Sequence, residues 1–146
     1  MKSIINLFTL GLFTLSLQFV YADTPEWSVN ANDFEFSAVM IAVVLDDGNN
    51  EAGDGDLLAA FDGDGNVRGL STLQSGLGSY AGQTLHEIII YSNAGGDEIT
   101  FQYYDASSDA IQAITDSYEF EINGVAGNLV LPHELNIGVS YPTAPV

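Results

Sequence analysis

Acidic and amide side chains are concentrated in one glycine-rich stretch, residues 46–69 (DDGNNEAGDGDLLAAFDGDGNVRG). This stretch holds seven of the chain's 20 acidic residues, together with its only arginine. Carboxylate and amide oxygens are the ligands that Ca²⁺ prefers, in sets of about six to eight. We therefore expect a structural Ca²⁺ site formed where two loops fold together, with candidate ligands Asp46, Asp47, Asn49, Glu51, Asp54, Asp56, Asp62, Asp64 and Asn66.

The spacing Asp62-x-Asp64-x-Asn66 places oxygen ligands at alternate positions, as at the start of an EF-hand loop. An EF-hand also needs glycine at the sixth position and glutamate at the twelfth, where this chain has Val67 and Leu73. The spacing therefore excludes an EF-hand. The same residues are also typical of a tight hairpin turn, since Asp, Asn and Gly tolerate positive φ.

Arg68 is a single cation among many carboxylates, so we expect it to form a salt bridge. The predicted hairpin over residues 57–73 would bring it near Asp56 or a carboxylate of the following sheet. A partly buried pair of this kind would make residues 46–69 a structural hub. The alternative is a solvated arginine on an exposed hairpin.

Aromatic side chains offer a second kind of chemistry, because β-sandwiches often stack sugars on them. Trp27 and Tyr80 are the candidate carbohydrate-binding residues. Most aromatic residues alternate with apolar ones, however, and this pattern favours packing in a core or an interface.

No residue pattern indicates catalysis. His86 and His133 are far apart in sequence, and no cysteine or second histidine stands at zinc-binding spacing. Glu119 and Glu121 are a carboxylate pair, but they also fit the outward face of an alternating strand. We therefore expect a non-enzymatic protein.

Composition indicates where the protein acts. Residues 1–22 combine Lys2, an apolar segment and a small residue before the change to Asp23, which predicts a cleaved signal peptide and a secreted bacterial protein. A retained N-terminal anchor is the alternative.

Residues 23–146 carry one basic residue against 20 acidic ones. Such an acidic domain argues against nucleic acid and anionic membranes as partners.

Short alternating apolar segments separated by turn residues run through residues 23–146. Clear examples are 57–61, 67–73, 85–91 and 98–104, and further short strands are expected at 110–114, 118–122 and 129–135. Roughly seven to nine strands without helical periodicity predict a single all-β domain, an antiparallel β-sandwich of immunoglobulin-like or jelly-roll-like type, whose termini would be extended.

Several separated motifs resemble a β-sandwich module of bacterial secreted and cell-surface multidomain proteins. They are Trp27-Ser28-Val29-Asn30, Asp56–Phe61, Arg68-Gly69, Tyr91-Ser92-Asn93, Gly96–Phe101 and Tyr104-Asp105-Ala106. One departure is Ala31, where the module usually has proline after the W-x-V-N motif. The resemblance implies a structural or adhesive role.

The module usually stands in a covalent string, whereas we expect a stand-alone secreted domain here. We therefore predict a subunit that assembles with copies of itself into an extracellular fibre or surface layer, with Ca²⁺ support. Residues 23–32 and 137–146 are the segments expected to add a strand to a neighbour. The alternatives are that both segments fold back on their own sheet, and that the protein is a monomeric carbohydrate-binding or adhesion module.

Overall fold

The fold is all-β, as the sequence predicts. A computed structural model describes residues 24–138, and no helix within this range is long and apolar enough to cross a membrane. Two short 3₁₀ turns, Ala31–Asp33 and Gly78–Tyr80, accompany the strands. The nine strands are β1 (Phe36–Asp46), β2 (Asn49–Asn50), β3 (Leu57–Phe61), β4 (Val67–Ser75), β5 (Thr84–Ser92), β6 (Glu98–Asp105), β7 (Ala110–Glu119), β8 (Val125–Ala126) and β9 (His133–Asn136).

The strands form one curled sheet in the order β2-β1-β5-β4-β3-β6-β7. All pairs along this path are antiparallel. Strand β4 pairs with β3 through its first half and with β5 through Ser71–Ser75. It therefore joins the two halves of the sheet, and the β3–β4 hairpin lies at this junction.

The short strands β8 and β9 pair parallel with β1, which the prediction of a purely antiparallel fold did not include. Beyond β9, Ile137 forms an antiparallel bridge to Ile114 of β7. This bridge brings β9 between β1 and β7 and so joins the two ends of the curled sheet. The sandwich arrangement itself stays a prediction.

The core is formed by apolar side chains that alternate with polar ones along the strands and point inward. Met40, Ile90, Phe101 and Leu135 are fully or almost fully buried and belong to one hydrophobic cluster. Burying such side chains stabilises the fold by about 1.5–3 kcal/mol each. One continuous cluster over strands from β1 to β9 is what a single domain requires.

The sequence placed some strand boundaries wrongly. It predicted two strands, 110–114 and 118–122, where a single strand, β7, runs from Ala110 to Glu119, with a register shift against β6 between Ala113 and Ser117. The strand expected at 129–135 begins only at His133. The predicted signal peptide and residues 139–146 lie outside the described range.

Candidate functional site

The β3–β4 hairpin separates two polar clusters. Asp56 precedes β3 and Asp62 follows it. A strand of five residues spans roughly 17 Å. The acidic residues before β3 and those after it therefore lie at opposite ends of the strand, so the structure does not bring the two loops together. The Ca²⁺ site stays a prediction.

The cluster before β3, here called the inner cluster, is centred on the Asp56 carboxylate, which is only 5% exposed. Its Oδ2 accepts hydrogen bonds from the Tyr103 hydroxyl and from the backbone N–H of Gly53 (2.7 Å). Its Oδ1 accepts one from the backbone N–H of Ala106 (2.8 Å). The Tyr103 hydroxyl also lies 3.0 Å from the carbonyl oxygen of Glu51. Asp56 thus fastens the segment before β3 to β6 and its following turn.

Strand pairing explains how the inner cluster forms. Leu57 lies opposite Tyr104 and Leu58 opposite Tyr103, so the residue before β3 reaches the end of β6. Alternation along β6 points Tyr103 into the core, where its hydroxyl needs a partner. Burial and the hydrogen bond to Asp56 together raise the pKa of Tyr103, so the hydroxyl stays a neutral donor.

The inner cluster continues to His86 and Ser71. The His86 ring stands edge-on to that of Tyr103, with centroids 5.6 Å apart. The Ser71 hydroxyl accepts a hydrogen bond from the N–H of Leu58 and lies 2.9 Å from His86 Nδ1. Because both residues are buried, this contact ties β3, β4 and β5 together.

Burial lowers the pKa of His86 to about 4, although the charge of Asp56 opposes the shift. The imidazole is therefore neutral near pH 7. In the tautomer that lets the Ser71 hydroxyl donate to Nδ1, the ring proton lies on Nε2. Nε2 has no hydrogen-bond partner within residues 24–138.

The cluster after β3, here called the outer cluster, is centred on Arg68. Its Nε lies 2.9 Å from Asp62 Oδ2, and its Nη1 donates to the Tyr91 carbonyl and the Ser92 hydroxyl, each at 3.2 Å. The guanidinium also lies 5.0 Å from the centroid of the Phe34 ring. The Arg68 side chain is only 17% exposed, which is the partly buried environment expected of a hub.

Asp62 organises the turn as well as pairing with Arg68. Its Oδ1 accepts hydrogen bonds from the N–H groups of Asp64 (3.0 Å) and Asn66 (2.9 Å). Burial alone would raise the pKa of Asp62, but the hydrogen bonds from Asn66, Arg68 and Asp64 hold it at about 2. The hairpin-turn alternative for Asp62-x-Asp64-x-Asn66 therefore describes the geometry of this loop.

The predicted Arg68–Asp56 pair is not formed, because Arg68 pairs with Asp62. In the antiparallel hairpin Val67 lies opposite Phe61, so Arg68 lies beside the end of β3 rather than its beginning. Asp97 is a second carboxylate at 3.9 Å from Arg68 Nη1. The sequence thus identified Arg68 as paired but assigned the wrong partner.

The nine predicted Ca²⁺ ligands are distributed over three turns. Asp46, Asp47 and Asn49 lie at the β1–β2 turn, Glu51, Asp54 and Asp56 lie between β2 and β3, and the other three form the β3–β4 turn. Over residues 24–138, no three His, Cys, Asp or Glu side chains are grouped as a metal site would require. The Asp56 and Asp62 oxygens are already used as hydrogen-bond acceptors.

The predicted carbohydrate residues are also separated. Trp27 packs edge-on against Phe61 at the β3–β4 end, with centroids 5.6 Å apart. Tyr80 follows β4 and lines an open cleft of about 360 Å³ together with Asn50, Gln83 and Glu134. The two aromatic residues therefore lie near opposite ends of β4 and do not form one stacking platform.

Residues 24–32, all but the first residue of the segment expected to reach a neighbour, lie with Asp33 and Phe34 on their own domain. Val29 lines a groove of about 210 Å³ with Leu70 and Ile89, and the Phe34 ring stacks on Tyr91 at 6.0 Å. Asn93 accepts a hydrogen bond from Glu35 N–H and donates one to the Asp33 carbonyl. This is the fold-back alternative for the N-terminal segment.

Strand β7 has the most open edge of the long strands. On the side away from β6, the described chain covers it only around the Ile114–Ile137 bridge, with a further hydrogen bond from Gly138 N–H to the Ala113 carbonyl. Ile111, near the start of β7, is 54% exposed. An open edge with an exposed apolar side chain is a surface on which another strand can add.

The sequence did not identify Ser71, Tyr103 and His86 as partners in one buried network. Tyr103 had a usable signal, because it occupies the inward face of an alternating strand and a buried tyrosine hydroxyl requires an acceptor. Ser71 and His86 had no such signal in the sequence, since their contact depends on the pairing register of β4 with β5.

Comparison of the chain with protein-family models, with curated proteins and with solved structures finds no match.

Proposed function

We propose that this protein is a secreted structural subunit that assembles with copies of itself into an extracellular fibre or surface layer. The observation that supports this proposal best is the open edge of β7. Hydrogen bonds from an added strand would satisfy its backbone groups and would link one copy to the next. A head-to-tail contact of this type propagates without closing.

The polar clusters support a structural role in the same proposal. Both bind strands to one another through buried or half-buried hydrogen bonds. A rigid sheet with a fixed edge suits a subunit that transmits its geometry to a neighbour. The resemblance to modules of bacterial surface proteins points in the same direction.

Ca²⁺ enters this proposal as a support for assembly. A net charge of −18 opposes the approach of two copies, and divalent cations bound by exposed carboxylates would reduce that repulsion. Asp46, Asp47 and Asp54 are exposed at the end of the domain where the sequence predicted ligands. Chelation would then slow assembly without unfolding the domain.

The edge contact is tested by light scattering from purified residues 23–146. Replacing Ile111 with Lys places a charge on the β7 edge and should slow assembly, because charged edges resist strand addition. The matched control is Thr100→Lys, which puts the same charge at an exposed position of β6, a strand paired on both sides. Equal assembly rates for the two variants would contradict the assignment of the β7 edge.

A monomeric carbohydrate-binding module is the second candidate. The Tyr80 cleft supports it, since an aromatic ring beside amide and carboxylate groups is a common arrangement for sugars. A glycan array probed with the wild type and with Tyr80→Ala tests it. Binding that depends on Tyr80, in a protein that stays monomeric at high concentration, would favour this function over assembly.

A further inference from the structure

The curled sheet has an outward face opposite the main core. Met40 of β1 and Ile88 of β5 belong to the core cluster, so their neighbours Val39 and Ile89 point the other way. Leu70 of β4 lies on the same side as Ile89, because the two residues line one groove. The outer face is defined here as the outward positions of four neighbouring strands, β8, β1, β5 and β4.

An apolar row crosses the outer face from β8 to β5. Val125 of β8 lies opposite Val39 of β1, and Val39 lies opposite Ile89. Val125 is 77% exposed and Ile89 is 39% exposed, while Val39 is half-buried. Paired residues on neighbouring strands are about 4.8 Å apart, so the three aliphatic side chains form one continuous strip. Beside Ile89 the strip opens into the groove of about 210 Å³ that Val29 and Leu70 also line.

The outer face carries little charge in a strongly acidic protein. The charged side chains at its outward positions are Glu87 of β5 and Arg68 of β4, and Arg68 is already paired with Asp62. The whole chain has a net charge of −18, so two copies repel each other wherever their acidic surfaces meet. At the outer face a second copy meets apolar side chains and little like charge. This face therefore fits a second copy of the chain.

We propose that the outer face is the contact between two copies of this chain, packed face to face about a two-fold axis that runs along β1. At Val39, β8 and β5 flank β1 on its two sides. The axis therefore places Val125 of each copy over Ile89 of the other, at the spacing of about 10 Å between packed sheets. Such a contact closes after two copies, so it is separate from the β7 edge and goes beyond the open-ended assembly proposed above.

The size of the outer face determines how strong this contact is. Four strands about 4.8 Å apart, over about five residues of 3.3 Å each, give a face of roughly 300 Å². Exposed apolar surface of this extent on a monomer is often functional, but a standard complex buries about 800 Å² on each partner. We therefore expect a weak dimer that forms at high protein concentration and dissociates on dilution.

Sedimentation velocity tests the contact in residues 23–146 carrying Ile111→Lys, measured in the presence of a chelator. This background weakens the β7 edge and Ca²⁺-supported assembly, and it leaves the outer face unchanged because Ile111 lies on β7. The proposal predicts that the dimer fraction rises with protein concentration from about 1 µM to about 1 mM. A protein that stays monomeric over this range would overturn the proposal and leave the face to a partner of another kind.

Matched aspartate variants in this background locate the contact. Ile89→Asp should abolish the dimer, because a charge between apolar side chains is costly to bury. Ile122→Asp is the control and should leave the dimer fraction unchanged, since Ile122 lies beyond β7 and is 40% exposed, against 39% for Ile89. Val125→Asp should act like Ile89→Asp at a position that is 77% exposed, which keeps the test independent of effects on folding. Equal dimer fractions for all three variants would contradict the assignment of the outer face.

Complementary charges test the two-fold register. Val125→Lys and Ile89→Asp should each lose most of the dimer, and a mixture of the two should regain it, because the new ammonium group of one copy lies over the new carboxylate of the other. A mixture of Val125→Lys with Ile122→Asp is the control and should regain nothing. Equal recovery in the two mixtures, or recovery in neither, would overturn the register.

Electron microscopy of the wild type separates this contact from the proposed function. Filaments from the wild type, together with a monomeric Ile111→Lys background, would overturn the face contact and leave the proposed function standing. Dimers that Ile89→Asp removes, without filaments under any condition, would support the face contact and refute the proposed function.

Discussion

At the scale of single residues, hydrogen-bond donors decide what a carboxylate does in this protein. Asp56 and Asp62 both come from the acidic stretch that suggested Ca²⁺. Asp56 is surrounded by Tyr103 and two backbone N–H groups, and Asp62 by Arg68 and the N–H groups of its own turn. Each therefore acts as an internal acceptor that fixes backbone position.

Replacing Asp56 with Ala should destabilise the domain by about 3–5 kcal/mol, because it leaves the buried Tyr103 hydroxyl and two N–H groups without their acceptor. Asp54→Ala, in the exposed part of the same loop, should change the free energy of unfolding by less than about 0.5 kcal/mol. Urea unfolding measures both. Equal midpoints would show that the inner cluster contributes no net stability.

Arg68→Ala should lower the free energy of unfolding by about 2–4 kcal/mol, since Asp62 and Ser92 lose a partner that is largely shielded from water. Arg68→Lys keeps the charge but cannot reproduce the divergent hydrogen bonds, so it should fall between the alanine variant and the wild type. Thermal unfolding gives the order of the three proteins. An unchanged melting curve for Arg68→Ala would contradict a stabilising role for Arg68.

His86 should make stability depend on pH between 6.5 and 4. Its pKa is 6.5 when unfolded and about 4 when folded, so acidification protonates the unfolded chain first. The contribution of neutral His86 to the free energy of unfolding is therefore fully present above pH 6.5. It is lost as the pH falls towards 4, by about 3 kcal/mol. His86→Leu should flatten the profile measured by urea unfolding at several pH values. A variant profile parallel to that of the wild type would contradict the assignment.

At the scale of elements, the local pattern of alternating apolar residues and turn residues predicted the strand bounds well. The strand Leu57–Phe61 has the expected bounds, and the neighbouring strands differ from prediction by only one or two residues. Alternation and turn residues are local properties. The partners of Asp56 depend on the register between β3 and the distant strand β6, which the sequence does not give. Arg68 pairs across its own hairpin, and the sequence reading placed it beside the beginning of β3 instead of the end.

Gly69 shows how closely β4 and β5 approach. A Cβ added at this position would overlap the backbone carbonyl oxygen of Ile89, which cannot move without disturbing β5. Gly69→Ala should therefore cost about 1–3 kcal/mol. Gly63→Ala is the matched control, because no atom lies within 4 Å of its added Cβ and its φ is not positive. Chemical denaturation compares them, and equal stabilities would mean that β4 shifts freely.

At the scale of the whole molecule, the net negative charge and the open edge of β7 have opposite effects on the association of two copies. The net charge of −18 keeps copies apart, whereas the open edge of β7 with its exposed Ile111 favours contact. Assembly should therefore depend on cations. At about 0.15 M salt the screening length is only about 8 Å, so repulsion between approaching surfaces is already reduced and Ca²⁺ can act at the contact itself.

Negative-stain electron microscopy of purified residues 23–146 tests the central claim most directly, with Ca²⁺ present and then with a chelator at equal ionic strength. The account predicts filaments or ordered layers that form in Ca²⁺ and shorten or disperse on chelation. A strictly monomeric protein at high concentration under both conditions would contradict self-assembly.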